Sequence, residues 1–180
     1  MKAIVSVDKF WGIGKNNDLL FHLPEDMRHF VAHTMNKVIV MGSNTLLSFP
    51  NGKPLKNRVN VVLWPDGERD DVIIAKSLDD LSTKLKEYDT DETFIVGGAM
   101  FYKTMLDYCS EVIVTKVDAD GKATVFFENL DERDGWILGN ETELMTAENG
   151  LRYKFCSYEN TKIKKKEIAC YSAGFCDYHW

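Results

Sequence analysis

"IVGGAMFY", residues 95–102, decides how the rest of the chain is read. Together with the two residues before it, the stretch opens as "TFIVG", a run of β-branched and aromatic residues that reads as a strand. From Gly98 onward the spacing of apolar residues is helical. Two glycines, the residues whose ordering costs most conformational entropy, stand at the junction. Either the chain makes a tight turn there that nothing touches, or a ligand has to come within contact distance of bare backbone.

Working outward, the same strand-to-helix grammar repeats. Strand-like runs occur at "AIVSV" (3–7), "KVIVMG" (37–42), "VNVVLW" (59–64), "DVIIA" (71–75), "EVIVTKV" (111–117), and again near 136–144 and 151–158. Several are unbroken Val/Ile runs, the pattern of strands buried on both faces. Helical patterns fall between them at 24–35, 43–49, 77–87 and 98–107. Alternation of this kind predicts an α/β fold: one domain over residues 1–161, with a central, mostly parallel sheet of about eight strands flanked by about four helices. Residues 162–180, beginning "KIKKKEIACYSAGFC", have no place in that sheet and read as a C-terminal extension of uncertain structure.

Composition narrows the function classes. The chain has 180 residues, 44% hydrophobic and 28% charged, with net charge −6, which fits one ordinary globular domain. No apolar run approaches the roughly 20 residues that cross a bilayer, so no membrane association is expected. "MKAIVSVDKF" is too short in its apolar part for a secretory leader and reads as the first strand. No basic patch alternates with aromatics, so nucleic acid is not expected as a partner; "KIKKK" (162–166) reads as a solvated tail. Of four cysteines, none forms a CxxC pair, and no metal site is expected. They read as reduced thiols of a cytoplasmic protein, with Cys109 and Cys156 in the core and no role for Cys170 or Cys176. A monomer is expected.

In such sheets ligands bind beyond the carboxyl ends of the strands, and three junctions there carry chemistry. "LPEDMRHFVAHTM" starts a helix with Pro24 at its first position. Met27, Phe30, Val31 and Thr34 form one stripe, and Asp26 lies on its edge. Acids in a first turn favour the helix dipole without any function, which suffices for Glu25. Asp26 differs because a carboxylate bordering an apolar face needs a partner, and an amidine-like ring donating two hydrogen bonds would be one. "VMGSNTLLSF" and "IVGGAMFY" both run strand, glycine, helix, with Ser43 or Asn44 available as a cap and Thr45 in the first turn. Two helix N-termini of this kind could hold a pyrophosphate, although neither has the G-x-G-x-x-G spacing of the common dinucleotide fold.

Taken together, "IGKNNDLLFHLPEDMRHF", "VIVMGSNTLLSFPNGKPLKNRVNVVL", "IVGGAMFY" and "VTKVDAD" resemble dihydrofolate reductases in order and spacing over roughly residues 3–160. The resemblance implies the reduction of 7,8-dihydrofolate to tetrahydrofolate by hydride transfer from NADPH, with NADH as a possible substitute, and sensitivity to antifolate small molecules. It implies that Asp26 grips the pterin N3 and 2-amino group, that Thr115 hydrogen-bonds Asp26, and that Phe21 walls the reacting rings. Substrate contacts would come from Ile4, Val5, Met27, Arg28, Phe30, Phe49, Leu55 and Val96, with Arg58 holding the glutamate α-carboxylate. Cofactor contacts would come from Ser6, Ile13, Gly14, Leu19, Gly42, Ser43, Asn44, Thr45, Leu63, Gly97, Gly98, Ala99, Met100, Phe101 and Tyr102. It also implies a cis Gly97–Gly98 bond, and a loop over 9–23 that closes on the nicotinamide. The opening question is then answered by a cofactor with which side chains would collide.

The chain departs from the family pattern at three places. Leu20 and Phe21 replace proline and tryptophan, which implies a looser loop. Ser43, Trp64-Pro65 and Met100 stand where residues that hold the NADPH 2′-phosphate are usual, which implies weaker discrimination against NADH unless Lys76 or Lys103 substitutes. Ala123 replaces an acid that would tie a neighbouring loop to the active-site loop. The alternatives are a related pyrimidine reductase of riboflavin synthesis and a catalytically weak folate- or nucleotide-binding protein. His22, His29 and His33 read as surface or packing residues, and Met27, Met35, Met41, Met100 and Met105 as core fillers.

Overall fold

The strands β1 (Lys2–Val7), β3 (Val38–Gly42), β4 (Val59–Leu63), β5 (Ile73–Ala75), β6 (Thr93–Gly97) and β7 (Glu111–Val117) lie side by side in parallel, in the order β7-β1-β6-β3-β4-β5. The computed structural model describes residues 1–164. On the β7 side the sheet continues antiparallel through β11 (Arg152–Asn160) and β10 (Met145–Thr146). That gives eight strands in sequence across the sheet, with β9 (Trp136–Glu141) pairing β11 as a ninth. A separate ribbon joins β2 (Gly12–Gly14) to β8 (Val125–Phe126).

Four α-helices are found among the described residues: α1 (Pro24–Thr34), α2 (Ser43–Ser48), α3 (Leu78–Leu85) and α4 (Ala99–Met105). The unbroken apolar runs explain their placement, because neighbouring residues of a strand bury on opposite faces. Ala3, Val5 and Val7 join Val40, Val61, Leu63, Ile95 and Val114 under α3 and α4. Ile4, Ile39, Met41, Val62, Phe94 and Ile113 face the other way, toward Leu46 of α2 and Phe30 of α1. Each fully buried Leu, Ile or Phe contributes about 1.5–3 kcal/mol, so both faces hold the sheet.

The α/β architecture agrees with the sequence reading, including buried Cys109 and Cys156. Three short strands, β2, β8 and β10, were not foreseen, since two or three residues carry no readable period. Met41 and Met105 fill the core as expected, whereas Met27 and Met100 are exposed. Cys170, Cys176 and most of the expected extension lie outside the described residues.

Candidate active site

The loops at the carboxyl ends of β1, β6 and β3 converge on one groove. Proline at N1 starts α1 directly after Leu23, with no side-chain cap, and this brings Asp26 in the first turn toward the sheet. The Asp26 Oδ1 accepts a hydrogen bond from the Thr115 hydroxyl at 2.6 Å. Thr115 is buried in β7 and pairs in register with Ser6 of β1, whose side chain also bonds the Asp26 carboxyl. Burial raises the Asp26 pKa, and the Thr115 and Ser6 bonds partly offset that rise. With one oxygen committed, the carboxylate retains acceptor capacity for a donor-rich ring edge.

Around Asp26 a small cavity is lined by Ser6, Val7, Asp8, Ile13, Leu19, Leu20 and Phe21. Phe21 also packs against Leu23, Val117, Ala147 and Tyr153. On the α1 and α2 side, half-buried Phe30, Phe49, Leu55 and Val96 surround the cluster that contains Ile4. Arg28 and Met27 are exposed on α1. Arg58 lies 6.0 Å from the Phe30 ring centroid and donates to the Thr34 Oγ1 at 3.4 Å. Desolvation lowers its pKa somewhat. Thr34, read as part of the apolar stripe, thus orients the guanidinium, aided by its own bond to the Phe30 carbonyl.

Across the groove the Gly97–Gly98 bond is cis, and Gly97 has φ +136°, a region that L side chains rarely adopt. A Cβ on Gly97 would lie 2.9 Å from the Thr45 Oγ1. The protein itself therefore already requires glycine there, before any ligand is considered. Gly42 and Gly98 are the N-cap residues of α2 and α4, and neither helix has a side-chain cap, whereas Ser77 caps α3. The expected Ser43 or Asn44 cap is not observed, because the glycine itself takes the N-cap position. Two uncapped helix starts meeting at bare glycine backbone suit a diphosphate, so the residues fit a dinucleotide cofactor.

Not every named residue reaches this groove with its side chain. Val5, Leu63 and Phe101 are buried in the core, so only their backbone is available to a ligand. Tyr102 is buried and donates its hydroxyl to the Ile4 carbonyl at 2.6 Å. Ile13 is half-buried and Gly14 buried, while Leu19, Asn44 and Met100 are exposed and Ala99 is half-buried. The cations near the C-terminal end of β4 are already engaged. Lys76 bonds the Gly67 carbonyl, and Arg69 holds both oxygens of Asp71 and the Gly52 carbonyl. Lys103 is exposed on α4.

The loop is more tightly tied than its sequence implied. Leu20 packs on Gly121, where an added Cβ would lie 2.9 Å from the Leu20 Cβ. The backbone of Gly14 accepts from Thr124 N at 2.9 Å, and Trp11 O accepts from Phe127 N at 2.8 Å. Two functional candidates escaped the sequence reading. Asn60 bonds the Leu55 backbone through both its amide and carbonyl, and donates to the Arg58 carbonyl; a polar residue inside the run "VNVVL" was the available signal. Asp8 is the other, signalled by an acid between a strand end and a glycine turn.

Comparison with known proteins agrees with this geometry. A sequence model described as dihydrofolate reductase matches residues 1–160. The dihydrofolate reductase of Bacillus subtilis (strain 168) is 32% identical over 155 residues, covering 85% of this chain and 90% of that protein. Dihydrofolate reductase type 9 of Escherichia coli is 29% identical over 178 residues, covering 94% and 98%. A structure of dihydrofolate reductase from Enterococcus faecalis, complexed with NADP(H) and RAB-propyl, superposes with a TM-score of 0.78 at 23% identity, covering 88% of this chain and 95% of that one. A sequence match across nearly the whole described chain, on a fold that carries a partnered helix acid opposite a glycine cradle, has one meaning: the chain belongs to the dihydrofolate reductase family.

Proposed function

We propose that this protein reduces 7,8-dihydrofolate to 5,6,7,8-tetrahydrofolate with NADPH, supplying tetrahydrofolate for one-carbon metabolism. When bound, the nicotinamide supplies a hydride to pterin C6. Asp26, held by Thr115 and Ser6, orients the pterin by accepting from N3–H and the 2-amino group, and its charge favours protonation of the ring. The proton for N5 comes from water, so hydride and proton together saturate the N5–C6 bond. Phe30, Phe49 and Leu55 wall the rings, and Arg58 takes the glutamate carboxylate, a task suited to a guanidinium fork. The backbone at Gly42–Thr45 and Gly97–Ala99 would hold the cofactor, with Phe21, Ile13 and Leu19 restricting water at the nicotinamide end. Antifolates would enter the same groove. The protein acts as a monomer in the cytoplasm.

The observation that carries this reading is the Asp26–Thr115 pair beside a cavity lined by Ser6, Ile13, Leu19 and Phe21. Weaker cofactor discrimination follows from Ser43, Trp64, Pro65 and Met100, together with the engagement of Lys76 and Arg69. Spectrophotometric assay of NADPH oxidation with dihydrofolate tests the function. Dihydrofolate-dependent oxidation is expected, and its absence, with ligand binding intact, would leave a binding protein instead.

A further inference from the structure

Asp8 is a carboxylate with 2% exposure, one residue beyond β1. Its hydrogen bonds all come from backbone. Oδ1 accepts from Phe10 N and Gly12 N, each at 2.8 Å, and Oδ2 accepts from Gly121 N at 3.0 Å. The first two close the turn into β2, where Asp8 N also donates to Gly12 O at 2.9 Å. The third reaches a segment 113 residues away. That segment is the one on which Leu20 rests. Asp8 and Leu20 both line the cavity that contains Asp26.

Steric facts give the same grouping. A Cβ on Gly12 would run into the Ala123 Cβ, and would lie 3.0 Å from both Asp8 oxygens. Backbones 8–14 and 119–127 therefore approach too closely for a larger side chain between them. Lys9 N donates to Ala119 O at 3.1 Å, and β2 pairs β8. The carboxylate that joins the two loops is that of Asp8, just beyond the end of β1.

We propose that Asp8 is a positioning residue for the reduction. By bridging the β1–β2 turn to Gly121, it sets where Leu20 and the rest of loop 9–23 stand over the nicotinamide end of the groove. The inference rests on the function proposed above. It concerns placement of the loop.

Asp8→Asn is the discriminating variant. Its amide oxygen still accepts from Phe10 and Gly12, but its NH2 group would face Gly121 N–H donor to donor, so the turn is kept and the bridge is lost. Two readouts apply. In the ligand-free protein, amide hydrogen exchange at Gly121 is expected to accelerate at least tenfold, while Gly12 stays protected. In turnover, the hydride step, read by the isotope effect with 4-deuterated NADPH, is expected to slow by about ten- to a hundredfold. KM for dihydrofolate should stay within twofold, because Asp26 is untouched. Unchanged exchange at Gly121 would overturn the bridge, and unchanged hydride transfer with Gly121 exposed would overturn its role in the reaction. A variant that fails to fold would also overturn the proposal, since Asp8 would then be a stability residue. If the parent protein shows no dihydrofolate turnover, the functional reading fails on its own, and the exchange experiment still reports on the bridge.

Discussion

Replacing Asp26 with asparagine should move activity and stability in opposite directions. The change is isosteric and removes one charge from a carboxyl that burial already disfavours in its ionised form. The folded-state pKa lies above the ordinary 3.8, so the unfolded chain holds the charged form more readily. The stability associated with this group is thus present in acid and is lost as pH rises through the folded pKa. At neutral pH the ligand-free protein carries that penalty, and Asp26→Asn relieves it. Each kcal/mol recovered raises Tm by about 2–4 °C for a chain of this size. Catalysis moves the other way. Thr115 can still donate to the asparagine oxygen, but in the proposed complex one of the two acceptors offered to the pterin would become a donor. A hydrogen bond to a charged group is worth about 1.5–3 kcal/mol. Adding about 1–1.5 kcal/mol for neutralising the second bond gives a total near 2.5–4.5 kcal/mol, or roughly seventy- to two-thousandfold in kcat/KM. Steady-state turnover with dihydrofolate and NADPH, beside a thermal melt without ligands, measures both. Activity within tenfold of the parent, or a Tm that falls by several degrees, would refute the reasoning, because the acid would then be serving the fold.

Other perturbations read different parts of the structure. With Lys76 and Arg69 engaged and Ser43, Pro65 and Met100 uncharged, kcat/KM for NADPH should exceed that for NADH by less than tenfold; a preference above a thousandfold would defeat this. His29 stacks on Phe155 at 3.7 Å, and its pKa is lowered to about 4 by burial and by nearby His33. Because the folded pKa is depressed, stability should fall as pH drops from 6.5 toward 4; a melt series should show His29→Phe flattening that window. Gly97→Ala places a side chain at φ +136° and 2.9 Å from Thr45 Oγ1, and should cost at least about 2 kcal/mol in urea unfolding, with Thr45→Ala relieving only the contact.

The sheet was legible because its strands are long and apolar on both faces, so "KVIVMG" and "VNVVLW" could hardly be anything else. Asp26 was legible because an acid bordering an apolar stripe needs an explanation, and the paired Thr115 emerged only through the family resemblance. The tight contact between the two loops was not legible. It depends on Gly12 meeting Ala123 and on Leu20 meeting Gly121 across more than a hundred residues, and on backbone bonds that carry no side-chain signature. Asp8 shared that fate, since an acid before a turn is ordinary until its third bond is seen. The exposure of Met27 and Met100 was misread because helical spacing indicates a face and leaves open whether anything covers it.

The phenol of Tyr102 fastens α4 to the carbonyl of Ile4, and in the function proposed above that bond would pin the floor of one ligand's seat to the wall of the other's. Whatever settles against α4 acts on β1 through that rivet, and whatever competes for the Ile4 oxygen must first contend with a hydroxyl that already holds it. With both ligands bound as proposed, reciprocity would give the two occupants a shared coupling free energy. An inhibitor bearing an amine at that point would be felt by the dinucleotide before the two molecules ever met.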